Sequence, residues 1–228
     1  MRKIISSCLL TLLSVYSSVL IAVEDIKYHE MTLEGWTVFI EQKLVDNNDK
    51  RVFPTLRILS AKLQEAKTLI PEKHLHQLQK VPLWISENTG GLAEFYFFQE
   101  SVYRYERNPK KAGGVEFQNI NLFLANITEI PMLIIHELAH AYHKLNYDRL
   151  DKSIMRAYKN AHSKRLYKDL RLGSSLHRET MYASTTPFEY FAELSESYFG
   201  YSNAYPHNST ELKKHDPIGY QMVEDAWR

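Results

Sequence analysis

The sequence predicts an α+β domain in which a small sheet supports one buried helix with further helices around it. Residues 130–142 are an almost unbroken apolar run that contains His136-Glu137-Leu138-Ala139-His140, the pattern of a helix packed on every side. Residues 81–124 hold aromatic and β-branched stretches broken by turn signals such as Asn88-Thr89-Gly90-Gly91, which read as short strands. The flanking regions show apolar residues at helical spacing.

The chain has 228 residues, 44% of them hydrophobic and 24% charged, which fits one globular domain with its own core. Its first 22 residues stand apart. Arg2 and Lys3 precede an apolar, serine-rich stretch from Ile4 to Leu20, and no acidic residue occurs before Glu24. That is the pattern of a secretory signal peptide cleaved after Ala22, leaving residues 23–228 as a secreted or periplasmic protein; the alternative is an uncleaved membrane anchor, the apolar stretch being near the lower length limit for spanning. The only cysteine, Cys8, lies in this segment, so the mature part is expected to have no disulfide. Without Arg2 and Lys3 it has 26 basic and 27 acidic residues. That balance argues against nucleic acid or an anionic membrane as partner.

Taken in order, residues 23–80 are expected to form an α-helical N-terminal layer. Leu33, Trp36, Phe39 or Ile40, and Leu44 fall at helical spacing between Met31 and Val45. A second helix opens at Pro54, with Leu56, Leu59, Leu63, Ala66 and Leu69 on one face, and a short one passes through His74 and Leu78, with His74 and His76 at the surface. The core of residues 81–228 begins with strand-like segments at 81–86, 95–98 and 102–105. Lys110 and Lys111 fall in a loop bracketed by Asn108-Pro109 and Gly113-Gly114, where a solvated lysine pair is expected. The segment 115–124 alternates as a strand does, with a change of phase near Asn119 that predicts a bulge or break. The helix carrying the pentapeptide is expected over 128–144, with Thr128 as N-cap and Pro131 in its first turn. Helices follow around Ile154–Ala161 and over 188–198. A last one is capped by Asp216, has Pro217 first, and ends near Trp227.

Two histidines four residues apart share a helical face and can bind one metal ion, while Glu137 projects beside it, placed to handle the proton of a bound water. Catalytic zinc takes three protein ligands and leaves a position open. His143 is a poor third ligand because its rise along the helix prevents tetrahedral ligation with both His136 and His140; it is expected to be exposed or to support a ligand indirectly. The better candidate is Glu189, in Pro187-Phe188-Glu189-Tyr190-Phe191-Ala192-Glu193. Two carboxylates on an otherwise apolar helix need compensation, and a cation supplies it. Glu193, one turn on, is expected to accept the free N–H of a zinc-bound histidine.

These two motifs, His136-Glu137-Leu138-Ala139-His140 and Glu189-Tyr190-Phe191-Ala192-Glu193, resemble those of gluzincin metallopeptidases. They are most similar to the catalytic domain of lethal-factor-type zinc endopeptidases and to related bacterial secreted proteins of unassigned substrate, over residues of about 115–200. The resemblance implies a zincin-like fold, one Zn2+ per chain on His136, His140 and Glu189, and Glu137 as general base of peptide hydrolysis. A tyrosine seven residues before the glutamate ligand assists catalysis in those enzymes, and Tyr182 occupies that position. By zincin analogy the strand around 115–124 is the edge on which an extended peptide or protein substrate pairs. Two other functions share these residues: a catalytically silent zinc-binding protein, and a zinc amidase acting on a non-peptide or cell-wall amide.

Overall fold

The computed structural model describes residues 26–104, 108–168, 170–171, 178–179 and 181–228. The expected signal peptide and its cleavage point lie outside them, and among the described residues no helix is long and apolar enough to cross a membrane. The architecture is α+β, with a five-stranded mixed sheet and ten α-helices among the described residues.

The chain opens with a hairpin where a helix was expected. Strands β1 (Tyr28–Leu33) and β2 (Trp36–Glu41) pair antiparallel, with Leu33 opposite Trp36. The two-residue turn, Glu34-Gly35, has φ of 54° and 97°, the double positive φ that tight hairpins require. The spacing that read as helical was in fact a period of two. Trp36, Val38 and Ile40 are fully buried on one face, and β-branched alternation overrode a coincidental i, i+3, i+4 match. Glu34 accepts hydrogen bonds from Ser60, Gln64 and Lys67, each at 2.9 Å, which ties the turn to the helix crossing it.

After α1 (Gln42–Asp46) comes that helix, α2 (Val52–Leu69), followed by α3 (Glu72–Leu78). Leu59, Leu63 and Ala66 of α2 are fully buried, and each leucine so buried contributes about 1.5–3 kcal/mol. The helical part of the N-terminal layer is therefore confined to residues 42–78. Of the two histidines expected at the surface, His76 is exposed and His74 is half-buried, its ring 4.8 Å edge-on from that of Tyr142 and also meeting Trp227.

Strand β3 (Leu83–Ile85) pairs parallel with β2, and β5 (Val115–Phe117) parallel with β3. The two-residue β4 (Glu94–Phe95) lies antiparallel on the far side of β5 and ends the sheet. Residues 115–117 are thus interior, and the edge expected of them belongs to β4. Residues 102–104 fall in a helix, α4 (Gln99–Arg104), instead of a strand; the rest of that expected strand, Tyr105, lies outside the described residues. The phase change near Asn119 marks the end of β5 and the start of α5 (Ile120–Asn126), whose first amides bond to the Asn119 side chain.

Lys111 corrects another expectation, being 1% exposed. Its Nζ lies 2.6 Å from Glu116 Oε1 and over the rings of Tyr28 and Trp84. The Glu116 carboxylate also accepts from Ser86, Tyr96 and Thr89. This buried pair fastens the segment after β4 across the sheet.

Helix α6 (Leu133–Leu145) runs beneath β4 and β5, and every residue from Leu133 to His143 is buried. It begins later than expected. Thr128 and Pro131 lie in the preceding turn and Met132 holds the cap position. Then come α7 (Tyr147–Ser163), the short pair β6 (Leu170–Arg171) and β7 (Arg178–Glu179), and α8 (Pro187–Phe199). The chain ends in α9 (Ser209–His215) and α10 (Pro217–Trp227), with Asp216 capping α10 through Gly219 N as expected. A Cβ at Gly219 would collide with Tyr190 and Leu194, so α10 can approach α8 this closely only with glycine there.

Lys111→Met leaves Glu116 buried without its cation and is expected to cost about 3–5 kcal/mol in urea unfolding. Burial pushes the Glu116 carboxyl up, but Lys111 and the hydroxyls hold it below its usual 4.5. Below that pH the unfolded chain binds the extra proton, so this stability is present above the unfolded pKa and lost as pH falls through the folded one. Glu116→Gln should flatten the acid limb of the stability profile.

Candidate metal centre

Helices α6 and α8 form the most extensive helix–helix packing among the described residues. The start of α8 is fixed locally: Thr186 Oγ1 accepts from Glu189 N at 3.1 Å, and Pro187 holds the first position. This sets the phase of the helix, so that Glu189, Glu193 and Glu196 form one stripe facing α6.

The structure brings His136, His140 and Glu189 together as predicted. His136 Nε2 and His140 Nε2 are 3.1 Å apart, and Glu189 Oε2 lies 3.1 Å from the first and 3.2 Å from the second. These atoms form a near-equilateral triangle. A tetrahedral cation about 2.0–2.1 Å from each donor requires separations of roughly 3.3–3.4 Å, so the triangle fits a metal ion after small relaxation. The chemistry of the donors fits too. When both imidazoles are neutral with the proton on Nδ1, their Nε2 atoms, 3.1 Å apart, can give their lone pairs to one ion, and a carboxylate completes the group.

Glu196 holds His136 from behind. Its Oε1 is 2.7 Å from His136 Nδ1, and Ser202 Oγ donates to its other oxygen at 3.0 Å. That bond fixes the proton on Nδ1 and leaves Nε2 free to ligate. Glu193, expected in this role, is not at hydrogen-bond distance: its Oε1 lies 3.8 Å from the same nitrogen. The i, i+7 spacing from Glu189 was a visible signal for Glu196, whereas nothing in the sequence distinguished Ser202.

Glu137 is 6% exposed, and its Oε2 makes no hydrogen bond. Burial raises its carboxyl to about 7; His136 opposes this, and Glu189 and Glu94 reinforce it. Burial would likewise raise the Glu189 carboxyl, but the two histidines hold it well below the usual range. For His136, burial pulls down while Glu189 and Glu196 override it and raise the imidazole well above its ordinary value. Burial lowers His140.

Tyr182, in the 3₁₀ turn Tyr182–Ser184 before α8, stacks near His136 with ring centroids 6.4 Å apart and planes at 20°. Tyr182 is 54% exposed; partial desolvation on its cleft side and the Glu189 carboxylate raise its hydroxyl, which keeps it protonated. His143 takes no part in the triangle and is not exposed. It is fully buried among Phe97, Tyr147, Phe188 and Phe191. Burial lowers it to about 4.

The donors open into a cleft of about 730 Å3. Glu94 and Phe95 of β4 form its sheet side, and Phe97, Phe98 and Phe188 form an apolar wall. These wall residues were not singled out from the sequence. No protein-family model, curated protein or solved structure matches the chain.

Glu196→Ala is expected to weaken metal binding about 10–100-fold, with Ser202→Ala intermediate, as read by competition with a chromophoric chelator.

Proposed function

We propose that the protein is an exported zinc metallopeptidase with a zincin-like core, of the gluzincin type and most similar in its site to the lethal-factor-type catalytic domain. The observation that carries this reading is the convergence of His136 Nε2, His140 Nε2 and Glu189 Oε2 within 3.2 Å beside Glu137, whose buried Oε2 has no hydrogen-bond partner. His136, His140 and Glu189 would hold a zinc ion, which would supply a water of near-neutral pKa and polarisation of a carbonyl. Glu137, with a carboxyl near 7, is matched to take a proton from the attacking water and return it to the departing amine. The Tyr182 hydroxyl, kept protonated, donates to the oxyanion that develops on the scissile carbonyl. Strand β4, at the sheet edge beside the cleft, offers backbone groups to an extended peptide. Export rests on the basic and apolar start of the chain.

Elemental analysis of the purified chain should find about one zinc per molecule, lost in Glu189→Ala; stoichiometric zinc in that variant would remove Glu189 as third ligand. Glu137→Gln should keep zinc and abolish hydrolysis of a peptide library, and unchanged turnover refutes its role. Tyr182→Phe should lower kcat by about 100–1,000-fold at nearly constant KM, the range for loss of one oxyanion donor.

A further inference from the structure

The cleft has an aromatic end that the metal chemistry does not use. Phe97, half-buried, is met by the rings of Phe95, Phe98, His143, Tyr147 and Phe188 at centroid distances of 4.6 to 6.1 Å. The wall is therefore fixed before any ligand arrives. Phe98, beside it, is 47% exposed, and Phe97, Phe98 and Phe188 all line the cleft. Apolar surface gathered inside a site is a seat for a large apolar group. Lys144 Nζ stands 5.0 Å and 4.8 Å from the centroids of Phe97 and Phe98, a cation at the wall that disfavours a second one there.

Two observations place the wall along the cleft. Phe97 and Phe188 both meet His143, which lies one turn beyond His140 on the side away from His136. Strand β4 leads directly into Phe97, so its C-terminal end points at the wall. Leu92 and Tyr96 direct their backbone groups at the β5 side: Gln118 N donates to Leu92 O at 3.2 Å, Tyr96 N to Gly114 O at 3.0 Å, and Gly113 N to Tyr96 O at 2.9 Å. Strand alternation then turns the backbone groups of Ala93, Phe95 and Phe97 toward the free margin. An extended peptide added there antiparallel, the more stable arrangement, has its earlier residues beside Phe95 and Phe97 and its later ones beside Ala93. The wall thus faces residues on the N-terminal side of a bond held at the metal triangle.

We infer that Phe97, Phe98 and Phe188 form a subsite that selects a large uncharged side chain, aromatic or long aliphatic, within the two substrate residues that precede the scissile bond. This rests on the peptidase reading above and adds the class of substrate to it. Phe98 is the specificity-determining residue of the three, because its ring is the exposed one and has apolar surface left to bury.

The test uses the zinc-loaded full chain and a peptide series with phenylalanine, norleucine, alanine or lysine placed at each position in turn. Wild type should favour phenylalanine over alanine by roughly tenfold or more in kcat/KM at one of the two positions before the cleaved bond, and norleucine over lysine at the same position. Phe98→Ala should collapse the phenylalanine-to-alanine ratio there, Phe98→Leu should retain part of it, and both should keep one zinc per chain. Cleavage with no preference at either position, a preference confined to residues after the cleaved bond, lysine accepted as well as norleucine, or a ratio unchanged in Phe98→Ala overturns the proposal and leaves the peptidase reading standing. A second arm measures binding of fluorescein-labelled phenylalanine and alanine peptides to Glu137→Gln, with and without Phe98→Ala. If wild type hydrolyses nothing yet Glu137→Gln binds the phenylalanine peptide more tightly and Phe98→Ala removes the difference, the peptidase reading fails and the apolar subsite stands.

Discussion

An imidazole buried between two carboxylates is the constraint around which this chain is built. His136 offers one ring nitrogen to Glu189 and the other to Glu196, and all three sit between helices whose remaining faces are apolar. Each ionisable group taken out of water costs several kcal/mol, and only mutual pairing offsets that cost. The two glutamates lie seven residues apart, two turns of α8, so they can bracket the ring only if α6 and α8 keep one axial register. The Thr186–Pro187 start of α8 and the close seat of Gly219 on its far side both serve to hold that register.

The sheet provides the other half of the frame. Its hairpin is pinned to α2 through Glu34, and its far side is closed by the Lys111–Glu116 pair. The buried pair restrains the loop that returns from β4, and β4 forms the sheet side of the cleft. The metal triangle and the cleft wall are thus held by two separate polar networks, one within the helices and one on the sheet.

What could be read from the sequence follows from how local its cause is. The pentapeptide helix, the Glu189 helix and the Asp216–Pro217 cap depend on spacings of four residues or fewer, and all three are present, although the first helix starts at Leu133 and not at the Thr128 cap. The N-terminal hairpin was missed because Trp36, Phe39 or Ile40, and Leu44 satisfy helical spacing, while Trp36, Val38 and Ile40 satisfy a strand equally well. The Glu34-Gly35 turn was the deciding local signal. Lys111 looked solvated because its partner Glu116 lies in a strand and their burial comes from tertiary packing. The choice of Glu196 over Glu193 also needed the third dimension. Both face His136, and Glu196, held by Ser202 Oγ, is the one that reaches it.

The shape of the sheet's two margins bears on the behaviour of the molecule in a crowded solution. An unpaired margin is a template for fibrillar or edge-to-edge association. The long margin, β1, has six residues and turns His29, Glu30 and Thr32 outward, which discourages docking by another sheet. The margin beside the cleft is two residues long and carries Glu94. Two residues can register a single extended strand whose side chains also find the cleft, but they offer too little to nucleate a growing stack. The chain can thus keep an accessible sheet margin at its site without the self-association that a longer one invites.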